Sequence, residues 1–556
     1  MNTKTTLIAL FILITFSGFS QAWKTYPYNP VTTPASEINF PVDEGRHASE
    51  STEWWYTSGH ITTASNKEYS FMITYFYYPY QVANPISPLL PDISLDGFRI
   101  LNVTDESDGT FYQDTQAISS YTTLSETGLN LVANKIFGGT EYFRNKTAST
   151  TPTPFEYELN TASANITLDF DLETTKRPLI VGGDGLFDQG AANYTYYYSQ
   201  TDNTVTGSLT VGETTETVTG TAWIDRQYGS FNPITGGEDY EWFSIKLDNG
   251  TDLNLWNIFD SNNEIPNNLK YKILSAYVDE DQNTQYTISD FEIERLEYFF
   301  TPDNLRNYSK KWRLTSASKN IDLVITSNYE NSEVNITELN FRFFEGATAI
   351  SGTIDGNAVT GVGFAELLHS YEHPDVSISS PSAGVYNTST PISWTINNPD
   401  DGRPLKYDIE YSINNKVTFL PITTALTASS YLWDGSGITN GDAVWFKIKA
   451  YSADNTLFSE VISSSASTTT LSSNEFNKNR IQFYPNPVKD KLILQLSEVP
   501  SIGTIELIDI KGKLINRIAI KQSLVQEIGM HNLSKGVYFL KLNSDKNQQI
   551  IKIIKK

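Results

Sequence analysis

The chain has 556 residues, a formal net charge of −24, 13% aromatic residues and no cysteine. That length exceeds what one core supports and implies three or four domains, while the negative charge argues against nucleic acid and anionic lipid as partners. The absence of cysteine excludes disulfides, thiolate metal ligands and cysteine nucleophiles.

An all-β protein is expected from 32 Tyr and 29 Phe set among many Thr and Asn with few helix-forming runs. Lys4 precedes an apolar run from Leu7 to Phe16, and Ser20-Gln21-Ala22 ends in small residues. Residues 1–22 are therefore predicted to be a secretory signal peptide, too short to span a bilayer. Nothing else reaches about 18 apolar residues, so no transmembrane segment is expected in the mature protein. Residues 23–40, rich in Pro and Thr, form an extended lead-in to a first lobe over 23–235.

The densest stretch in that lobe is Asp43-Glu-Gly-Arg-His47, Glu53-Trp-Trp-Tyr56 and Gly59-His60, which holds two of the chain's five histidines. On a strand, Trp54, Tyr56 and His60 point one way and Glu53 and Trp55 the other. Aromatic and polar groups on both faces suit a wall between a core and a ligand pocket. Glu68 to Tyr78 is apolar or aromatic on both faces, as a buried strand is. Further strands are read near 97–104, 155–159, 166–172, 194–198 and 204–211. Thr217 to Phe231 then places Trp223 and Asp225 on one face, as Tyr196 and Tyr198 share theirs.

A second β unit, 236–372, opens with Trp242 to Leu247, the hairpin signal Asp248-Asn-Gly250 and Leu253 to Phe259. It closes with Gly361-Val-Gly-Phe-Ala-Glu-Leu367. Two β units of comparable weight suggest two barrels or one two-lobed body. Residues 373–463 read as a small immunoglobulin-like sandwich with tryptophans at 394, 433 and 445, and 464–477 as a Ser/Thr linker. The last block, 478–556, is basic, with fourteen Lys/Arg against six Asp/Glu.

The last block resembles the type A sorting domain of the type IX secretion system: Tyr484-Pro-Asn-Pro487, Asp509-Ile-Lys-Gly512, Leu533-Ser-Lys-Gly-Val-Tyr538 and a basic apolar end occur in order. The resemblance implies type IX machinery as a partner and a secreted or cell-surface location. Residues ~38–372 resemble the lipocalin-like tandem β domains of carotenoid 1,2-hydratases and AttH-type proteins. The likeness rests on Asp43-x-Gly45-x-His47, Glu53-Trp-Trp-Tyr56, Gly59-His60, Gly220-Thr-Ala-Trp-Ile-Asp225 and Gly363-Phe-Ala-Glu-Leu367. It implies tandem barrel lobes around a hydrophobic, unsaturated small molecule. Where those hydratases read roughly His-x-Trp and then Tyr-x-Asp, this chain reads Tyr196-x-Tyr198 and Trp223-x-Asp225, so only the aspartate is kept.

Hydrating an isolated alkene requires protonation of carbon, and a carboxylic acid kept neutral in a dry site can supply that proton. Asp225 is the candidate acid, with His47, Glu53 or His60 to orient water and Tyr198 as a further catalytic candidate. Trp54, Trp55, Tyr56, His60, Tyr196 and Trp223 are candidates for the ligand wall, where aromatic faces stabilise a cation. The competing reading makes Asp225 a strand-end carboxylate paired with Arg226. A non-catalytic carrier would use the same cavity, and a hydrolase would need a carboxylate pair about 5–9 Å apart, with Glu53 and Asp225 to be checked. No cofactor or metal is expected: Gly182-Gly-Asp-Gly185 has no helix after it, and His369 and His373 lie in a Pro-terminated segment.

Overall fold

The computed structural model describes residues 21–78, 95–231, 238–337, 340–381, 384–387, 391–398, 402–435, 438–439, 441–469, 482–496, 503–544 and 548–556. The predicted signal peptide lies outside the described residues except for Gln21 and Ala22, as does most of the predicted linker. Runs of β-branched and aromatic residues broken by turn residues become consecutive strands: β1 (Thr52–Thr63), β2 (Glu68–Tyr77), β3 (Gly97–Asp105), β4 (Thr110–Leu124), β5 (Asn130–Lys135), β6 (Thr140–Ala148), β7 (Thr151–Ala162), β8 (Ile166–Thr174), β9 (Leu179–Ile180), β10 (Leu186–Gln189), β11 (Asn193–Val211) and β12 (Thr214–Gly229).

Ten of these form an antiparallel ring in the order β11-β12-β1-β2-β3-β4-β5-β6-β7-β8, closed where β8 pairs with the C-terminal half of β11. Closure removes the two open edges that the ten strands would otherwise carry, and the short β9 and β10 flank the N-terminal half of β11. The stretches read as separate strands near 194–198 and 204–211 are one strand, β11, with a bulge between Gln200 and Asn203. The barrel is packed by Trp55, Phe71, Ile73, Tyr75, Leu101 and Phe143. Fully buried Arg99 lies with Glu141 at 3.0 Å and Asp114 at 2.7 Å. The lead-in is a strap as well as a connector, for Trp23, Ile38 and Phe40 are buried against Phe155, Tyr198 and Tyr228.

The second lobe comprises β13 (Tyr240–Leu247), β14 (Asp252–Ile258), β15 (Lys272–Asp279), β16 (Thr284–Ile288), β17 (Glu292–Phe300), β18 (Asn307–Ser316), β19 (Ile321–Ser327), β20 (Glu333–Ile336), β21 (Phe341–Ile354) and β22 (Asn357–Leu367). Its order is β16-β15-β14-β13-β22-β21-β19-β18-β17, with β20 on β21, so the sheet curls without closing. The two lobes are thus one closed barrel and one half-barrel. Asp248-Asn-Gly250 makes the predicted turn between β13 and β14, with Gly250 at φ +86°.

Alternation gives the half-barrel two buried faces. Phe243, Ile245, Leu253 and Leu255 fill its own core. Trp242, Trp256, Phe343 and Phe364 instead pack on the outer face of the barrel, against Tyr56, Met72, Phe76, Ile100 and Tyr197. This seam explains why β1 and β2 carry apolar residues on both faces.

Gly59 is needed within β1: a Cβ there would meet Thr221 O at 2.4 Å, the Phe71 ring at 2.8 Å and Ala222 Cα at 3.0 Å. Gly59→Ala should therefore destabilise the protein by about 1–3 kcal/mol, as overpacking does, read as a lower midpoint in thermal or urea unfolding.

Two small sheets follow in the same compact unit. One pairs Val376–Ser380, Ile392–Ile396 and Ser430–Tyr431; the other pairs Leu420–Leu426, Leu405–Ser412, Ala443–Ser452 and Phe458–Ile462. Of the three tryptophans here, Trp394 is 2% exposed. Residues 482–556 fall in a second unit with its own core: Leu492, Leu494 and Ile528 of one sheet face Ile505, Leu540 and Ile553 of another.

Candidate active site in the seam between the two lobes

Strand register decides which side chains reach the seam. β1 lies between β12 and β2 with Trp54 opposite Gln227 and Phe76, Tyr56 opposite Asp225 and Thr74, and Ser58 opposite Trp223 and Met72. Opposed residues share a face, so Trp54, Tyr56, Asp225 and Gln227 all leave the barrel outward. On β11, Tyr197 lies opposite Gln227 and Ser199 opposite Asp225. From the half-barrel come Tyr240, Trp242, Trp256, Phe341, Phe343 and Glu366. Together these walls line a cavity of about 30 Å³, room for about two water molecules. Larger ligands enter only if rings move, and half-buried Trp54, tilted on Phe76 at 5.8 Å, is placed to do so.

Asp225 is 2% exposed in this cleft. Its Oδ1 accepts the indole N–H of Trp223 at 2.7 Å and its Oδ2 the hydroxyl of Tyr197 at 2.6 Å. Burial pushes the carboxyl up to about 7, against the opposing pull of Ser199, Tyr197 and Trp223. The half-barrel braces the arrangement, because Asn254 Nδ2 donates to Tyr197 Oη at 3.1 Å and to Ser199 Oγ at 3.0 Å. Tyr197→Phe removes a hydrogen bond that holds the Asp225 carboxyl down, so it should move the Asp225 titration to higher pH, measured by pH-difference infrared spectroscopy of the carboxyl band.

Two further carboxyls complete the site. Glu345 and Glu366 are directly opposed on β21 and β22. Glu345 Oε1 accepts from Tyr56 Oη of the barrel at 2.8 Å, and Tyr240 donates to Glu366. Desolvation raises both carboxyls, and the neighbouring Glu366 charge raises Glu345 further. Two such groups side by side hold one proton in preference to ionising together.

The candidates named from the sequence divide into three places. Trp54, Tyr56 and Asp225 line the main cleft, and Trp223 and His60 line a second, smaller cavity of about 20 Å³. Burial drives His60 down to about 4, so it is neutral. The other five lie elsewhere. Trp55 packs inside the barrel, its indole N–H donating to Glu44 O at 3.0 Å. His47 and Glu53 meet at the barrel end: His47 is 2.8 Å from Asp43 and stacks on Tyr228 at 3.5 Å, while Glu53 pairs with fully buried Arg226. Tyr196 and Tyr198 turn toward the same end, packing with Phe40 and Tyr228. Tyr197, the residue between them, is the one that meets Asp225. Arg226 points away from Asp225, so the two do not pair; Glu53 and Asp225 leave opposite faces and make no glycosidase-type pair.

Sequence reading missed Tyr197, Tyr240, Trp242 and Trp256 as seam residues, and Glu345 with Glu366 as a pair. The pair depends on the register between β21 and β22, which neither strand's own pattern carries.

A filled ten-strand barrel seamed to a half-barrel, with buried carboxyls between, defines a two-lobed lipocalin-like class. Residues 31–371 match the AttH-like family, and the chain belongs to it. Residues 482–556 match the secretion system C-terminal sorting domain, so the chain carries a sorting tail. A curated relative is the dehydratase asqC of Emericella nidulans, 24% identical over 373 residues and covering 64% of this chain and 99% of that protein. Among solved structures, an AttH protein of Nitrosomonas europaea superposes with a TM-score of 0.50 at 21% identity, covering 62% of this chain and 99% of the other. Kievitone hydratase of Nectria haematococca gives 0.47 at 17% identity, with the same two coverages of 62% and 99%.

Proposed function

We propose that the protein adds water to, or removes it from, a carbon–carbon double bond of a small, largely apolar molecule held in the seam. The observation that carries this reading is Asp225, a carboxyl buried among aromatic rings and raised to about 7. In the hydration direction the Asp225 proton passes to one alkene carbon, and the π electrons form the new C–H bond. The adjacent carbon becomes cationic and faces Trp54, Trp242 and Trp256, each ring contributing about 0.5–2 kcal/mol. Water attacks that carbon, and its surplus proton passes to the Glu345–Glu366 pair, which holds one acceptor oxygen in reserve. Proton exchange with solvent reloads Asp225. Dehydration runs the same steps backwards, and an isomerase would lose a different proton from the cation. The dehydratase name of the Emericella nidulans relative supports this class.

The sorting tail supports passage through the type IX system to the cell surface or medium, after removal of the signal peptide expected at 1–22. The test of the function is mass spectrometry of lipophilic material copurifying with the full chain, followed by incubation of that material with the protein in oxygen-18 water. Incorporation of one labelled water supports a hydratase. Tight binding without incorporation or isomerisation identifies a carrier instead.

A further inference from the structure

Four polar atoms on the wall of the main cleft find no hydrogen-bond partner among the described residues: Thr74 Oγ1, Gln227 Oε1, Trp242 Nε1 and Trp256 Nε1. Their residues are 3%, 1%, 2% and 3% exposed, and they come from β2, β12, β13 and β14. Buried polar atoms are nearly always paired, so four orphans carried by residues that line one cleft, two from each lobe, ask for a partner there. None of the four pairs with a seam carboxyl: Asp225 is engaged by Trp223 and Tyr197, Glu366 by Tyr240 and Glu345 Oε1 by Tyr56, while Glu345 Oε2 is a further unpaired oxygen among the described residues. Chemistry narrows what that partner is. An indole N–H can only donate, a hydroxyl does either, and Gln227, whose Nε2 donates to Gln189 Oε1 at 2.8 Å, presents its amide oxygen as an acceptor.

We infer that the substrate is an oxygenated alkene whose hydroxyl or carbonyl oxygen accepts from Trp242 and Trp256, rather than a hydrocarbon polyene. The inference rests on the seam being the ligand site, as proposed above. A hydrocarbon there would pair none of the four. Sites built around a substrate hydroxyl reject the analogue lacking it, by up to about 10⁴–10⁵-fold. A single hydroxyl meeting two indole donors and Gln227 would satisfy three of the four.

The test titrates the full chain with matched pairs that differ by one hydroxyl: 4-vinylphenol against styrene, and farnesol against the triene with hydrogen in place of its hydroxyl, 2,6,10-trimethyldodeca-2,6,10-triene. Tryptophan fluorescence and calorimetry report binding. The hydroxylated member of a pair should bind at least about tenfold more tightly, and Trp242→Phe and Trp256→Phe should each narrow that gap. Equal affinity within both pairs overturns the oxygenated-substrate inference and leaves the seam as a ligand site. A gap unchanged in both variants overturns the docking on the indoles, and with it the inference. Binding of none of the four overturns the seam reading as well. Where a variant does not fold, the comparison within each pair on the unmodified chain decides alone.

Discussion

Asp225→Asn should lower turnover by about 10²–10⁴-fold, the range that a positioned general acid supplies, and leave ligand affinity within a few-fold. Asparagine keeps the shape and can still accept a hydrogen bond from Tyr197 or Trp223, but it has no transferable proton. The unmodified protein should show a rate that falls as pH rises through about 7, because the neutral acid is the reactive form and Asp225 is raised to about 7 by burial. Stability follows the same sign. A carboxyl with an ordinary unfolded value near 4 and a folded value near 7 stabilises the fold fully below about pH 4. That contribution, roughly 4 kcal/mol at most, is lost as pH climbs to about 7. Glu44, also raised to about 7, and Asp252, raised to about 6, add slopes of the same sign. The difference in urea stability between the wild type and Asp225→Asn across pH 4–8 isolates the one carboxyl. A flat difference would show that position 225 is ionised throughout and is not the acid.

Glu53→Ala should produce the largest stability loss, about 3–5 kcal/mol, because it strands a buried cation. Arg226 is 1% exposed, sits 4.0 Å from the Trp55 ring and pairs with Glu53. Its remaining hydrogen bonds go to backbone carbonyls of Gly45, Trp54 and Gln227 and to His47 Nδ1 at 3.4 Å, none of which carries a negative charge. Replacing both partners, as in Glu53→Leu with Arg226→Met, should recover much of the loss, since a buried ion pair is often replaceable by apolar residues. The measurement is a double-mutant cycle in urea. If Glu53 instead served the chemistry, Glu53→Ala would keep its unfolding midpoint and lose turnover.

How much of this was legible in the sequence depends on whether a feature lies within one strand or between two. Within a strand, period-two alternation sufficed: it separated Trp54 and Tyr56 from Trp55, and it put Trp223 beside Asp225. Glu68 to Tyr77 read as a buried strand because both of its faces are covered, one by the barrel core and one by the half-barrel. β4 escaped because Thr110–Leu124 is half-buried nearly throughout and shows neither alternation nor an apolar run. Between strands, a shift of one residue exchanges faces. The choice of Tyr196 and Tyr198 over Tyr197 is an error of that kind: each strand's own periodicity was right, and the pairing of β11 with β12 in odd phase was invisible. Glu345 and Glu366 needed the same missing register across β21 and β22. His47 and Glu53 looked like reactive groups because buried ion networks and active sites draw on the same residue types.

The brace that Asn254 of the half-barrel provides to Tyr197 and Ser199, and through them to Asp225, makes reactivity a late product of assembly. Before the halves dock, the flank of the barrel bearing Asp225 would be wet and the burial that raises its carboxyl would be absent. Under the hydration proposed above, a chain with only its first half folded would therefore be chemically silent, and the cation-forming step would wait until the second half closes over the first.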